Sequence, residues 1–290
     1  MTFTLFDYQQ ADVDLLAKHD FTGVNRTEVG GGKTAVAVAA AVAGGHATKL
    51  VIAPQGTHLG EGWEWHVNQL DPSADVRIIK NSTKDGRSAL ADLQWERPGY
   101  YLITPQLFSR MDWNDVRPDY AICDEVHLLA AHGSKGSKKL LSLKAGSRLA
   151  MSGTPVRNRY ENFHTILRWL YPDRAEAGEI ADRSYFRWMA ANMASEYDRF
   201  SPTGKKYVGE KNPGELVSRI PCYIQHLRRE QCCKFHPEGF LDLEEPNDIR
   251  EVVELLPSQK RAIADMETKY VTWLQGNPMI ADIPVVAQTR

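Results

Sequence analysis

Apolar residues in this chain gather into short unbroken runs. Leu50-Val51-Ile52-Ala53, Val76 to Ile79, Tyr100-Tyr101-Leu102-Ile103, Tyr120-Ala121-Ile122-Cys123 and Arg148-Leu149-Ala150-Met151 are continuous rather than alternating. Strands of that kind are buried on both faces, as in a parallel sheet with helices on each side. Leu5-Phe6-Asp7-Tyr8-Gln9 leading into Ala11, Val13, Leu15 and Leu16 predicts a first helix, and the Ala/Val-only run Ala35 to Ala43 predicts a second. The class is therefore α/β, a mainly parallel sheet flanked by helices, with ligands expected at the carboxyl ends of the strands.

Those ends are where polar residues collect. Pro54-Gln55-Gly56-Thr57, Thr104-Pro105-Gln106, Asp124-Glu125-Val126-His127 and Ser152-Gly153-Thr154-Pro155 each follow one of the runs. A fifth polar stretch, Glu28-Val29-Gly30-Gly31-Gly32-Lys33-Thr34, opens directly into the Ala/Val helix. A glycine loop closing on Gly-Lys-Thr before a helix wraps backbone N–H donors around a triphosphate, aided by the helix's positive end. Glycine lets the backbone adopt positive φ and approach the phosphates without a Cβ. Lys33 is expected on the β/γ-phosphates and the Thr34 hydroxyl on Mg²⁺. The full pattern asks for a small residue five positions before Gly32, where Thr27 stands.

Phosphoryl transfer to water needs one carboxylate on Mg²⁺ and another to orient or deprotonate the nucleophile. Asp124 is assigned to the metal and Glu125 to the water, with Lys33 as the third catalytic residue. ATP and Mg²⁺ are the cofactors expected, and Val29 and the three glycines Gly30, Gly31 and Gly32 the cradle. A glutamine amide carries a donor beside an acceptor and matches the edge of adenine, so Gln9 is a candidate for selecting ATP.

Tyr8-Gln9, Gly-Gly-Gly-Lys-Thr, Ile52-Ala53-Pro54, Ile103-Thr104-Pro105, Asp124-Glu125-Val126-His127 and Ser152-Gly153-Thr154-Pro155-Val156-Arg157-Asn158 stand in the order of the helicase superfamily 2 motifs. Ser-Gly-Thr-Pro-x-x-Asn, and later Leu227-Arg228-Arg229 followed by Leu256-Pro257-Ser258-Gln259, resemble the Swi/Snf-type DNA translocases. The resemblance implies a first RecA-like lobe, with ATP between it and a second lobe of the same full-length chain, and double-stranded or branched DNA crossing both. It implies that His127, Ser152 and Thr154 couple hydrolysis to the DNA track, and that Gln55, Thr104 and Gln106 lie on that track. His132-Gly133-Ser134-Lys135-Gly136-Ser137-Lys138-Lys139 reads either as a loop whose lysines, Lys135 and Lys138 above all, meet phosphates or as a solvated loop.

Three regions follow: an ATP-binding lobe over 1–170, a mainly helical appendage over 171–235, and a connector with the start of a second lobe over 236–290. Trp169, Phe186 and Trp188 read as core aromatics at helical spacing rather than base-stacking platforms. A short exposed hairpin or loop is expected between Ser201 and Gly214. By resemblance, Ile249 to Leu256 is a strand leading to the second lobe and Pro257 to Leu274 its first helix. The sequence ends at Arg290 before a second set of motifs, which implies half of a motor, binding ATP weakly and hydrolysing it poorly.

The 290 residues are 42% hydrophobic with a net charge of −2, enough apolar content for a buried core and no global attraction to nucleic acid. Any such contact must come from local patches. The first 20 residues carry early acids and no unbroken apolar segment. No signal segment or membrane span is expected there, and a cytoplasmic location is. The four cysteines read as reduced thiols rather than zinc ligands, because Cys232-Cys233 adjacency suits a tetrahedron poorly. Two other functions are open to such a sequence: a P-loop ATPase acting on protein or small molecules, and a catalytically idle binding module. The second is hard to square with Lys33, Thr34, Asp124 and Glu125 all being present.

Overall fold

The computed structural model describes residues 3–57, 62–79, 97–153, 161–182, 184–198, 204–226, 254–269, 271–274 and 277–280. Two compact units are present: Met1–Ala194 with Val208–Leu241, and Ser195–Tyr207 with Asp242–Arg290.

In the first unit the described elements run α1 (Asp7–Ala17), β1 (Gly23–Asn25), α2 (Lys33–Ala43), β2 (Thr48–Ile52), α3 (Trp63–Leu70), β3 (Val76–Ile78), β4 (Gly99–Ile103), α4 (Pro105–Phe108), β5 (Tyr120–Asp124), α5 (Lys135–Ser142), β6 (Ser147–Met151), α6 (Asn162–Leu170), α7 (Pro172–Glu176) and α8 (Tyr185–Asn192). The chain goes on to β7 (Met193–Tyr197) and β8 (Lys205–Glu210), which form a two-stranded sheet, then α9 (Glu215–Ser218) and β9 (Tyr223–Ile224). The main sheet has seven strands in the order β3-β4-β2-β5-β6-β1-β9. Every pairing in it is parallel. All the strands therefore end on one rim.

All five predicted runs are strands, and β4 and β5 are buried throughout because helices cover both faces. Leu50, Val51, Ile52, Tyr100, Leu102, Ile122, Leu149 and Met151 are fully buried. On one face α2 packs against α1 and α3, and its alanines let those helices approach closely. Two strands escape the pattern of apolar runs. β1 is only Gly-Val-Asn, and a Cβ on Gly23 would stand 2.7 Å from Cys222 Sγ in the segment entering β9, so glycine permits that edge to close. β9 lies in the stretch expected to be mainly helical, and joins the sheet instead.

In the second unit α10 spans Pro257–Lys269, and β10 (Val271–Leu274) pairs antiparallel with β11 (Asn277–Ile280). The helix expected to reach Leu274 thus ends at Lys269, and Val-Thr-Trp-Leu, β-branched and aromatic, adopts the conformation it favours. Of the predicted strand Ile249–Leu256, residues 254–256 have no regular structure and the rest lies outside the described residues. Among the described residues no helix is long and apolar enough to cross a membrane.

Candidate functional site

The glycine loop leads from β1 into α2. Gly30 and Gly32 hold φ of 84° and 77°, the left-handed region that an L side chain rarely enters. Gly31 is required for a different reason: a Cβ there would stand 2.3 Å from the Thr27 methyl, the buried residue in the pattern's small position. The loop is thus a backbone cradle that a methyl group would fill. Lys33 and Thr34 are the first two residues of α2, both half-buried. The Lys33 ammonium donates to the carbonyls of Thr27 (2.8 Å) and Glu28 (3.2 Å), folding it over the loop.

Asp124 ends β5 with little exposure. Its Oδ1 accepts from the Glu125 N–H at 3.0 Å, and its Oδ2 from the indole N–H of Trp63 at 3.4 Å. Burial, and then the neighbouring Glu125 charge, push the Asp124 carboxyl up to about 6, against the pull of Trp63 and Lys33. Lys33 is moved the other way, lowered by burial and held back by Asp124, Glu125 and Glu28. One cation and two carboxylates thus interact at the same rim. The position a Cβ would take on Gly153, after β6, lies 3.3 Å from the Val29 side chain and 3.8 Å from Lys33 Nζ, which brings the β6 end over the loop.

Glu125 adopts φ 50°, ψ 51°, a left-handed conformation costing on the order of 1–3 kcal/mol in a non-glycine residue. Its carboxylate is held firmly: Ser152 Oγ donates to Oε2 at 2.7 Å, and His127 Nδ1 lies 3.2 Å from the same oxygen and 3.1 Å from Ser152 Oγ. Because the serine proton goes to Glu125, His127 must carry its proton on Nδ1 to satisfy this triangle. The pair expected to couple hydrolysis to DNA therefore touches the carboxylate assigned to the water. Thr154 lies outside the described residues.

The sequence-based candidates fare differently in detail. Gln9 sits beside the loop, but its Oε1 accepts from the Phe6 N–H and its Nε2 donates to the Tyr8 hydroxyl, so as placed it buttresses Gly32 and does not turn its edge outward. Gln55 and Gln106 are exposed at the ends of β2 and β4, whereas the Thr104 hydroxyl caps α4 by accepting from Leu107 N–H. The glycine/serine/lysine stretch is a turn only over 132–134 and is helical from Lys135 on. Ser134 caps α5, and Gly136 is buried, where a Cβ would stand 2.8 Å from Leu129 and 3.1 Å from Ser109 at the end of α4. Glycine there serves close helix packing, and it leaves Lys135 and Lys138 on a helix, both exposed. Trp169 and Trp188 are core as expected, but Phe186 is 70% exposed, because it lies on the outer side of α8. Cys123 and Cys222 are buried free thiols, and Arg228, Arg229, Cys232 and Cys233 lie outside the described residues.

Sequence reasoning missed Trp63 as a partner of Asp124, Gly153 as the cover over Lys33, and Tyr8, whose hydroxyl donates to the Gly31 carbonyl at 2.9 Å. Tyr8 and Gly153 had a signal, the first standing next to Gln9 in the Tyr-Gln pair and the second inside Ser152-Gly153-Thr154-Pro155, whereas Trp63 had none. Among the described residues no cluster of three or more His, Cys, Asp or Glu could hold a metal alone. One carboxylate, the Thr34 hydroxyl at the start of α2 and a triphosphate cradle are a donor set that fits Mg²⁺, which keeps its waters and shares phosphate oxygens.

The raised Asp124 carboxyl also bears on stability. A folded-state value above the unfolded 3.8 means that the folded lobe takes up a proton first, so Asp124 disfavours folding above pH 6 and this penalty fades as the pH falls towards 4. The stability of the wild type relative to Asp124→Asn is expected to rise between pH 7 and pH 4, as read from urea unfolding curves. A flat difference would contradict the assignment.

The SNF2-related domain model matches residues 27–210, more than half of the chain. A human "SWI/SNF-related matrix-associated actin-dependent regulator of chromatin subfamily A containing DEAD/H box 1" is 26% identical over 214 residues, covering 68% of this chain and 21% of that protein. Rice "DNA repair and recombination protein RAD54" is 30% identical over 112 residues, 38% of this chain and 11% of that protein. The chain thus spans about a fifth or less of these relatives' lengths. The Sulfolobus solfataricus SWI2/SNF2 ATPase core, solved in complex with dsDNA, superposes with a TM-score of 0.61 at 19% identity, covering 92% of this chain and 53% of that one. A second structure, of the Sulfolobus solfataricus SWI2/SNF2 ATPase core domain, matches with a TM-score of 0.59 at 19% identity, covering 91% of this chain and 51% of that one. These likenesses establish the fold as that of a SWI2/SNF2 ATPase core.

Proposed function

This chain belongs to the SNF2-related domain family, and from that premise we propose that it is the ATP-binding lobe of an ATP-dependent DNA translocase that tracks duplex DNA. The observation that carries the reading is the meeting of Lys33, Asp124 and Glu125 at one rim of the parallel sheet, with Ser152 and His127 gripping the Glu125 carboxylate. The backbone of Gly30 to Gly32 and the Lys33 ammonium bind and orient the triphosphate. Thr34 and Asp124 hold Mg²⁺, which when bound neutralises charge on the phosphate oxygens. Glu125 orients the attacking water and takes its proton. Gly153 covers the loop.

The DNA side of the proposal rests on polar groups on neighbouring elements. β2 and β4 are adjacent and parallel, so Gln55 and Thr104-Pro105-Gln106 leave the sheet on the same rim, and α5 packs against α4, setting Lys135 and Lys138 on the helix next to Gln106. Ser152 and His127 join β6 and β5 at the Glu125 carboxylate, which gives a physical route from rim to nucleotide. A second RecA-like lobe, beginning within 236–290, completes the ATP site in this reading. One lobe alone then turns ATP over slowly, lacking the charge stabilisation that in related nucleoside triphosphatases is worth about 10³- to 10⁵-fold.

The test is ATP hydrolysis by the full-length protein with and without duplex DNA. Stimulation by duplex supports the reading, and indifference to every nucleic acid would replace DNA with a protein or small-molecule substrate. The Lys135→Ala/Lys138→Ala variant is expected to weaken duplex binding and to reduce the slope of log affinity against log salt by about 0.9 for each phosphate no longer neutralised. An unchanged slope would remove α5 from the DNA face.

A further inference from the structure

The ladder between β1 and β9 continues past both strands. Val24 N–H donates to the Cys222 carbonyl, Arg26 N–H to that of Ile224 and Glu28 N–H to that of His226, at 3.0, 2.8 and 3.1 Å. The last of these bonds reaches into the phosphate loop. The Glu28 carbonyl in turn accepts from Gly31 N–H at 3.1 Å and from Lys33 Nζ at 3.2 Å. The position of residue 226 therefore bears on that of residue 28, and residue 28 holds the two groups that matter most in the loop.

The His226 side chain is fixed by α1. Its Nε2 lies 2.7 Å from Asp12 Oδ1, and its ring meets Tyr8 edge-to-face at 5.0 Å between centroids. Asp12 is only 5% exposed, and its Oδ2 has no hydrogen-bond partner among the described residues. Burial raises the Asp12 carboxyl, and the His226 contact pulls it back. A buried carboxyl–imidazole pair with one oxygen unsatisfied contributes little net stability, and replacing the acid with an apolar residue of similar volume is often neutral or stabilising. What this pair does supply is a fixed geometry between β9 and α1.

We propose that His226 and Asp12 are positioning residues for the nucleotide: the pair locks the end of β9 against α1, so that the His226 carbonyl holds Glu28, and through it Gly31 and Lys33, in the phosphate-binding arrangement. The proposal rests on the ATP reading of the loop. Neither side chain touches phosphate; both act through the Glu28 backbone. Tyr8, packed on His226 and bonded to the Gly31 carbonyl, braces the same loop from the α1 side.

The test is titration of the full-length protein with a fluorescent ATP analogue and Mg²⁺, beside urea unfolding of each variant. His226→Ala is expected to weaken binding about 10-fold, the scale of a buried polar group losing its partner. His226→Gln, whose amide can still donate to Asp12, is expected to stay within about threefold of wild type. Asp12→Leu separates positioning from stability: it is expected to fold as stably as wild type or more so, yet to bind about as weakly as His226→Ala, and the double variant to bind no more weakly than either alone. Wild-type affinity in a folded Asp12→Leu or His226→Ala protein would overturn the proposal, as would His226→Gln binding as weakly as His226→Ala. Failure of the wild type to bind the analogue would instead refute the ATP reading and take this proposal with it.

Discussion

Glu125→Gln in the full-length protein is expected to lower ATP turnover about 10³-fold, roughly 4 kcal/mol in barrier, while leaving nucleotide affinity within a few-fold of wild type. The substitution keeps the side chain's size and lets its carbonyl oxygen go on accepting from Ser152 Oγ and His127 Nδ1, so the left-handed backbone at Glu125 keeps its support. Basicity is what disappears. Binding survives because the Glu125 carboxylate is bonded to Ser152 and His127 rather than to the glycine loop, and its charge is one of the causes raising the Asp124 carboxyl. Removing that charge helps Asp124 ionise, which favours the metal. Steady-state hydrolysis and an equilibrium titration on the same preparation separate the two effects. A variant that binds poorly, or turns over at more than a tenth of the wild-type rate, would take Glu125 out of the role of general base.

Lys33→Ala is expected to act on binding and turnover together, weakening ATP affinity by about 10²-fold or more and abolishing measurable hydrolysis. The Lys33 ammonium donates to the Thr27 and Glu28 carbonyls and interacts with Asp124, Glu125 and Glu28, so it is the cation that balances three acids around the loop. Without it the two rim carboxylates face an incoming triphosphate uncompensated. Lys33 is half-buried on the first turn of a helix that packs into the core through Ala and Val, so the fold is expected to persist. Circular dichroism of the variant should match the wild type. Near-normal ATP affinity in folded Lys33→Ala would place the phosphates elsewhere.

Much of the fold is legible in the residues, for reasons specific to each element. The inner strands announce themselves because a parallel strand covered on both faces must be apolar, as in Leu50 to Ala53 and Tyr120 to Cys123. β1 and β9 cannot announce themselves, being three and two residues long, with membership decided by the close approach that Gly23 allows to Cys222. The Lys135 stretch reads as a loop because glycine and serine usually break helices. Here Ser134 caps the helix and Gly136 is selected by the space against Leu129 and Ser109, which only tertiary packing defines. Phe186 fails in the opposite direction, since helical spacing shows that a face exists but not which residues line it.

The chemistry of the site is more legible than its mechanics. Lys33, Thr34, Asp124 and Glu125 can be named because their types and their places after apolar runs are demanded by triphosphate chemistry. Which groups orient them cannot, because those partners come from distant segments: Trp63 from α3, Ser152 from the end of β6, Tyr8 from α1 and His226 from beyond β9. Gln9 is instructive. Its amide matches adenine by its hydrogen-bonding pattern, and the same pattern is satisfied inside the protein by Phe6 and Tyr8.

At the centre stands a single physical claim, that Lys33, Thr34 and Asp124 hold ATP and Mg²⁺ jointly on one rim of the sheet. Titration of a fluorescent ATP analogue into wild-type, Lys33→Ala and Asp124→Asn proteins, with Mg²⁺ and again with a chelator, tests it most directly. The claim predicts one site per chain, strengthened by Mg²⁺, lost in Lys33→Ala, and indifferent to Mg²⁺ in Asp124→Asn. Binding of equal strength with and without Mg²⁺ in the wild type, or untouched by either substitution, would contradict it.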